Sequence, residues 1–225
     1  MPVRSPMLTA MPAAPADPAC LVDPDSADAA AQALIAVAAA RPPSAGGTRV
    51  VAIDGPSGSG KTVFAERVVD QLATLTGHRP QTVHMDDLYP GWHGLAASIP
   101  ELVGRVLRPL AEGRPAGYQH YDWASGRYHP AVEPVDPAAY LVVEGVGCGS
   151  RACAPYLSAL AWLDAPTEQR RARGLARDGE TYAPHWDTWA AQEGELYGTE
   201  RTRERADVVL DTGTPEMMGA WSPCR

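Results

Sequence analysis

The chain has 225 residues, 45% of them hydrophobic and 20% charged, with a formal net charge of −8. That size and balance suit one folded α/β domain with a real core, argue against a uniformly basic nucleic-acid surface, and leave no apolar run near the roughly 18 residues that span a bilayer. Pro6, Pro12 and Pro15 interrupt any apolar core of a secretion signal, so residues 1–24 are expected to be a disordered tail or to reflect an upstream start, and the chain to be cytoplasmic.

An alanine-rich segment reaching about Ala40, capped by Asp25 or Ser26 and ended by Pro42 and Pro43, predicts the first helix. Residues 49–53 (RVVAI) form a short β-branched run, the pattern of a buried strand. A glycine-rich turn follows over 55–60, then a helix from Lys61 whose Phe64, Val68, Leu72 and Leu75 recur on one face until Gly77 stops it. Residues 81–85 predict a second strand ending at Asp86, residues 90–100 a loop, and Pro100 the start of a helix with Leu102, Val103, Val106, Leu107 and Leu110 along one side. Residues 117–130 are aromatic and polar, a strand end with a loop.

Residues 140–143, 159–163 and 206–210 are three further strands, the first two followed by Glu144 and Asp164. Short strands alternating with helices predict an α/β fold: a five-stranded, mainly parallel sheet with helices on both faces and a mobile lid over 166–200. The expected domain runs from 25 to 215, with a tail over 216–225. Ligands of such sheets bind at the carboxyl ends of the strands, which makes Asp54, Asp86, Glu144 and Asp164 candidates for one site. Cysteines stand at 20, 148, 153 and 224, without a CxxC pair or a histidine at zinc spacing, so reduced thiols are expected.

Residues 55–62 read GPSGSGKT and satisfy G-x-x-x-x-G-K-[ST], the phosphate-binding loop of the P-loop NTPase fold. Glycines let successive N–H groups turn toward an anion, and the helix that follows presents its positive end to the same phosphates. The expected ATP contacts are Gly55, Ser57, Gly58, Ser59, Gly60, Lys61 and Thr62, with Lys61 reaching the β/γ oxygens and Thr62 binding Mg²⁺. Of 19 basic residues only Lys61 is a lysine, which sets it apart from a chance lysine in a Gly/Ser turn. Its uniqueness also removes the Asn/Thr-Lys-x-Asp guanine motif, so ATP is the expected nucleotide. A kinase acting on an alcohol needs a carboxylate to orient the hydroxyl and take its proton, and Asp86 at a strand end is the candidate.

The phosphate loop, HMDDLY at 84–89, YDWASGR at 121–127, VVEG at 142–145 and the arginine-rich stretch after 166 come in the order of the uridine kinase and phosphoribulokinase-like kinases, which the sequence resembles over about residues 48–212. It is most similar to short bacterial proteins called uridine kinase-like. The resemblance implies that Asp86 of the Asp-x-x-Tyr element is the base and that Tyr89 belongs to the same element. It also implies that Tyr121, Asp122 and Arg127 line the acceptor pocket, and that Glu144 lies near Mg²⁺ and the acceptor. The sequence departs from the family where His129 follows Arg127 instead of preceding it, and where PGWHGLAAS follows Tyr89.

Arg170, Arg173 and Arg177 fall on one helical face of the lid segment 168–180, where they suit a triphosphate, with Arg173 stabilising the transferring group; a solvated charged face is the plainer alternative. Tyr121 and Trp123 are the preferred acceptor contacts among Trp92, Tyr118, Tyr121, Trp123 and Tyr128. His84, His120 and His129 are expected to be structural or exposed. The residues thus point to an ATP- and Mg²⁺-dependent kinase for a small alcohol, a nucleoside first, with no nucleic-acid or membrane partner and a homo-oligomer left open. A nucleoside monophosphate kinase using Arg105, Arg108 and Arg127 is the second reading, and an ATPase-type regulator the third.

Overall fold

The structure is a computed structural model that describes residues 27–179 and 182–213. In chain order its elements are α1 (Ala27–Ala40), β1 (Arg49–Asp54), α2 (Lys61–Thr76), β2 (Gln81–His84), α3 (Leu95–Leu102), α4 (Arg108–Ala111), the short strands β3 (Ala116–Tyr118), β4 (Tyr121–Asp122), β5 (Arg127–Tyr128) and β6 (Glu133–Val135), then β7 (Tyr140–Glu144), β8 (Ala159–Asp164), α5 (Thr167–Asp178), α6 (Trp186–Glu200), α7 (Thr202–Arg205) and β9 (Val208–Asp211). The expected tails, the cap at Asp25 or Ser26, Cys20, Cys224 and Glu180 lie outside the described residues.

Five strands pair side by side in the order β2-β7-β1-β8-β9, every pair parallel. The strands are short and apolar on both sides because helices cover both faces. Val51, Ile53, Val142, Ala161 and Leu163 face α1 and α2, where Leu34, Phe64, Val68 and Leu72 meet them. Val50, Ala52, Val143, Leu160 and Trp162 face the other way, toward Leu95, Leu102, Val106 and Trp189 of α3, the turn after it and α6. Residues 50–53 alternate between the two cores with the period of two that a strand imposes.

In α1 the buried positions Ala27, Ala30, Ala31, Leu34, Ile35 and Ala38 recur at helical spacing, and small side chains let the helix approach the sheet closely. Gly77 ends α2 in the left-handed conformation at φ 73°, its N–H on the Ala73 carbonyl. Leu75, expected on the buried face of α2, is instead 66% exposed: the helix overhangs the sheet edge there. The second strand stops at His84, one residue early, and Met85–Asp87 coil into a 3-10 turn.

The expected loop over 90–100 is corrected at its end. The helix begins at Leu95, and Pro100 lies inside it. Leu95, Ser98, Ile99 and Leu102 already form one buried helical face before the proline. Pro100 supplies no N–H, and three residues later the ladder widens to a π turn over Val103–Leu107, closed by Arg108 N–H on the Val103 carbonyl, before α4 resumes. The aromatic stretch folds into two small antiparallel pairs, β3 with β6 and β4 with β5. Among the described residues no helix is long and apolar enough to cross a membrane.

Candidate active site

The phosphate loop leaves the tip of β1 as three glycines in conformations that exclude other residues. Gly55, Gly58 and Gly60 have φ of 144°, 76° and 92°. A Cβ on Gly55 would stand 2.1 Å from the Leu163 carbonyl oxygen, and one on Gly58 2.2 Å from that of Arg170. The loop is therefore pressed between the end of β8 and the first turn of α5. Among the described residues no group accepts the N–H of Gly58, Gly60, Lys61 or Thr62, and Ser59 Oγ is buried without a hydrogen-bond partner. Unsatisfied N–H groups that converge at a helix start fit an anionic polyphosphate. Lys61 is 8% exposed, and its ammonium rests on the Pro56 carbonyl at 3.2 Å, on the loop itself.

The strand register assembles the acids beside this loop. Glu144 at the end of β7 pairs with His84 of β2 on one side and Ile53 of β1 on the other. Its Oε1 accepts the Thr62 hydroxyl at 3.2 Å and lies 2.7 Å from His84 Nδ1. The Glu144 hydrogen bond is the largest influence on His84 and raises its pKa above the ordinary value, with burial opposing. Asp86, two residues beyond His84, is exposed. Trp123 Nε1 donates to the Asp86 carbonyl at 3.0 Å, which ties the β4–β5 hairpin to the end of β2.

The four acids expected in one site separate into two kinds. Glu144 meets the phosphate loop through Thr62, and Asp86 stands in the 3-10 turn that follows β2. Asp54 is fully buried: it accepts the N–H groups of Gly55, Gly147 and Gly149 at 2.7, 3.0 and 2.8 Å and the Tyr197 hydroxyl at 2.8 Å. Burial pushes its carboxyl above the usual range, with the hydrogen bonds pulling the other way. Asp54 thus pins the loop after β1 to the loop after β7. Asp164 accepts the Ala165 N–H at 2.8 Å and stands 4.0 Å from Arg170, shaping the entry to α5.

Tyr89, expected at the acceptor, is corrected to a core residue. It is 1% exposed, donates its hydroxyl to the Val146 carbonyl at 2.9 Å and packs edge-on against Trp189. Tyr121 is half-buried, with its ring edge-on to Trp123 and Tyr128. Arg127 is exposed opposite Asp122 across the hairpin. Trp92 joins this hairpin to the segment that leads into α6: its centroid lies 4.6 Å from Trp123, 4.4 Å from His185 and 5.4 Å from Tyr182. A small open cleft of about 80 Å³ lies between the hairpin and α3, lined by Leu88, Glu101, Arg105, Gln119 and Tyr128.

The three arginines of α5 do not act as one row. Arg170 donates to the Ser57 carbonyl at 3.2 Å and to that of Ala165 at 3.0 Å. Arg173 holds the hydroxyl and carbonyl of Thr212 at 3.0 and 2.9 Å, and Thr212 in turn donates to the Ser59 carbonyl at 2.9 Å. Burial lowers the Arg173 pKa from its ordinary value. Arg177 is exposed near the end of α5. Sequence reasoning missed Thr212 and Glu193, whose carboxylate accepts the Ser57 N–H at 2.8 Å. Nothing in their sequence neighbourhood sets them apart, and only the fold brings them 153 and 136 residues back to the loop. It also set His84 aside, although adjacency to the strand end was a usable signal.

Neither a protein-family model nor a curated protein matches the chain. Solved structures do. A proposed uridine kinase from Bacillus stearothermophilus matches with a TM-score of 0.53 and 23% identity over 73% of this chain and 89% of that one. A proposed fructose transport system kinase from Silicibacter sp. TM1040 matches with a TM-score of 0.58 and 18% identity over 82% and 98%. A D-glycerate 3-kinase from Cryptococcus neoformans matches with a TM-score of 0.50 and 15% identity over 77% and 87%. The chain therefore shares the α/β fold of these proteins, whose names differ from one another.

Proposed function

We propose that this chain is an ATP-dependent kinase that transfers the γ-phosphate to a hydroxyl of a small molecule. One observation carries the reading: the phosphate loop, the Thr62–Glu144 pair and Asp86 stand at the carboxyl ends of three adjacent strands, β1, β7 and β2. The unpartnered N–H groups of the loop and the lone lysine receive the β- and γ-phosphates. Asp86 orients the acceptor hydroxyl and takes its proton as the oxygen bonds to the γ-phosphorus and ADP leaves. Arg170 and Arg173, both anchored beside the loop, are positioned to turn toward developing phosphate charge.

Thr62 and Glu144 are oxygen donors of the kind Mg²⁺ accepts, and Mg²⁺ would neutralise charge on the phosphates. Among the described residues no group of three or more His, Cys, Asp or Glu could hold a metal. Mg²⁺ in phosphoryl-transfer sites is commonly held by one or two carboxylates, substrate phosphates and water. A nucleoside is the preferred acceptor because Tyr121 and Trp123 carry aromatic rings on the hairpin that Trp123 ties to the Asp86 backbone. A monophosphate acceptor, which would draw on Arg105, Arg108 and Arg127, is the second reading; Arg105 is already paired with Glu101.

The test is ADP release by the purified chain across nucleosides, nucleoside monophosphates, sugars and short hydroxy acids, with Lys61→Ala as control. A hydroxyl-bearing acceptor that raises ADP release, lost in Lys61→Ala by about 100-fold or more, supports the reading. Acceptor-independent hydrolysis would favour the regulator instead, and no nucleotide binding at all would remove the kinase reading.

A further inference from the structure

Among the described residues no peptide bond is cis, so in each unit of the phosphate loop the carbonyl and the N–H point in opposite directions. A group that holds one end therefore aims the other. Two of the loop's unaccepted N–H groups, those of Gly58 and Gly60, share their peptide units with the carbonyls of Ser57 and Ser59. Both carbonyls are held from outside the loop. Arg170 Nη1 donates to Ser57 at 3.2 Å, and the Thr212 hydroxyl donates to Ser59 at 2.9 Å. The oxygens are thus tied down on the side of α5 and the end of β9, and the two N–H groups point away from that side.

Thr212 directly follows β9 and is 3% exposed, and its hydroxyl has one proton to give. Two carbonyls lie within reach, Ser59 at 2.9 Å and Asp164 at 3.1 Å. The Asp164 carbonyl already accepts the Thr212 N–H at 2.8 Å. Among the described residues no other donor reaches the carbonyl of Ser59, a residue that is fully buried. A buried carbonyl left without a donor is costly, so the hydroxyl proton belongs to Ser59. Arg173 enforces that direction. Its Nη1 donates to the hydroxyl oxygen at 3.0 Å and its Nη2 to the Thr212 carbonyl at 2.9 Å, which occupies a lone pair and turns the proton toward the loop.

We propose that Thr212 is a positioning residue for nucleotide binding: by holding the Ser59 carbonyl it aims the Gly60 N–H for a phosphate oxygen. The proposal deepens the kinase reading above and rests on it. Thr212 acts through the peptide and makes no contact with the ligand. Gly60 stands in left-handed backbone at φ 92° and has no side chain to brace the loop. Without the hydroxyl, the loop's own bond near this peptide is that of the Ser59 N–H to the Pro56 carbonyl at 3.2 Å. Fixing the peptide plane in advance removes an ordering cost that the incoming phosphates would otherwise meet.

Calorimetric titration of the full chain with a non-hydrolysable ATP analogue and Mg²⁺, below the melting transition of each variant, tests this. Thr212→Val fills the same space and lacks the hydroxyl. It should weaken the analogue by about 5–20-fold, and Thr212→Ser, which restores the hydroxyl, should bind within about twofold of the wild type. A hydroxyl that only stabilised the fold would lower the melting temperature of Thr212→Val and leave the affinity of the folded protein unchanged. That result, or a loss that Thr212→Ser does not restore, overturns the inference, while analogue binding by the wild type leaves the kinase reading standing. Thr212→Cys decides the matter if Thr212→Val does not fold. Its thiol is a weaker donor at the same place, so the analogue should weaken by about threefold or more, and unchanged affinity overturns the inference. A wild-type chain that does not bind the analogue overturns both.

Discussion

Asp86 and Glu144 are acidic residues near the ends of neighbouring strands, in different surroundings. Glu144 is 4% exposed and shares one oxygen between Thr62 and His84, whereas Asp86 is exposed beside the Trp123 indole. Asp86→Asn keeps the size and removes the base, so kcat should fall by about 10²–10⁴-fold while ATP affinity stays within about twofold. Steady-state ADP release and calorimetry measure the two quantities, and unchanged turnover would remove Asp86 from the chemistry. His84 gives a second test at this scale. Glu144 raises its folded pKa above 6.5, so the stability it contributes is present below the ordinary histidine range and is lost as pH rises through the raised folded value. The wild-type melting temperature should drop across that window, and the drop should shrink in His84→Gln. Lys61 and Thr62 were legible as residues because their motif is local. The role of Tyr89 was not, because the direction of a side chain depends on the 3-10 turn over Met85–Asp87 that follows β2.

The elements were legible where one rule governed them and obscure where two competed. The alternating strands of the sheet and the glycine stop of α2 follow from a single pattern each. For α3 the apolar face beginning at Leu95 competed with the expectation that proline starts a helix, and the face prevailed: burial of Leu95, Ile99 and Leu102 outweighs one lost hydrogen bond, which the π turn partly re-registers. The docking of α5 on the phosphate loop is a contact between elements more than 100 residues apart, and no local pattern announces it. It yields a sharp expectation at Gly58. A methyl group there would stand 2.2 Å from the Arg170 carbonyl oxygen and 2.8 Å from its Cα, in backbone at φ 76° that side chains rarely adopt. Gly58→Ala should therefore displace α5 and cost ATP affinity by about tenfold or more, together with about 1–3 kcal/mol of stability. Gly47→Ala, where a Cβ meets nothing within 4 Å, should change neither quantity beyond about 0.5 kcal/mol. Equal behaviour of the two variants in titration and thermal melting would contradict the tight loop–helix contact.

For the whole molecule, the parallel sheet makes one layer of two cores, and the site depends on both. The face under α1 and α2 fixes the helix whose start forms the phosphate loop. The opposite face carries α3 and α6, and with them Trp189 and Glu193. Strand order was not written in any one segment: β7 and β1 are adjacent although their paired positions, Arg49–Tyr140 to Ile53–Glu144, are 91 residues apart in sequence by way of β2 and the four short strands. It follows from covering both faces with right-handed crossovers, which place the first strand centrally. Because the two cores share the sheet, a defect on the face remote from the lid should lower global stability without changing acceptor recognition. Leu34 is fully buried on α1 and is distant in sequence from every site residue. Leu34→Ala should cost about 2–5 kcal/mol through the cavity it leaves, or about 4–20 °C in Tm for a domain of this size. Leu75→Ala, on a side chain 66% exposed, should stay within about 0.5 kcal/mol. Below its lowered transition the Leu34→Ala protein should keep the acceptor KM of the parent. A selective change in KM with Tm intact would mean that α1 reaches the site by a route the two-core architecture does not contain.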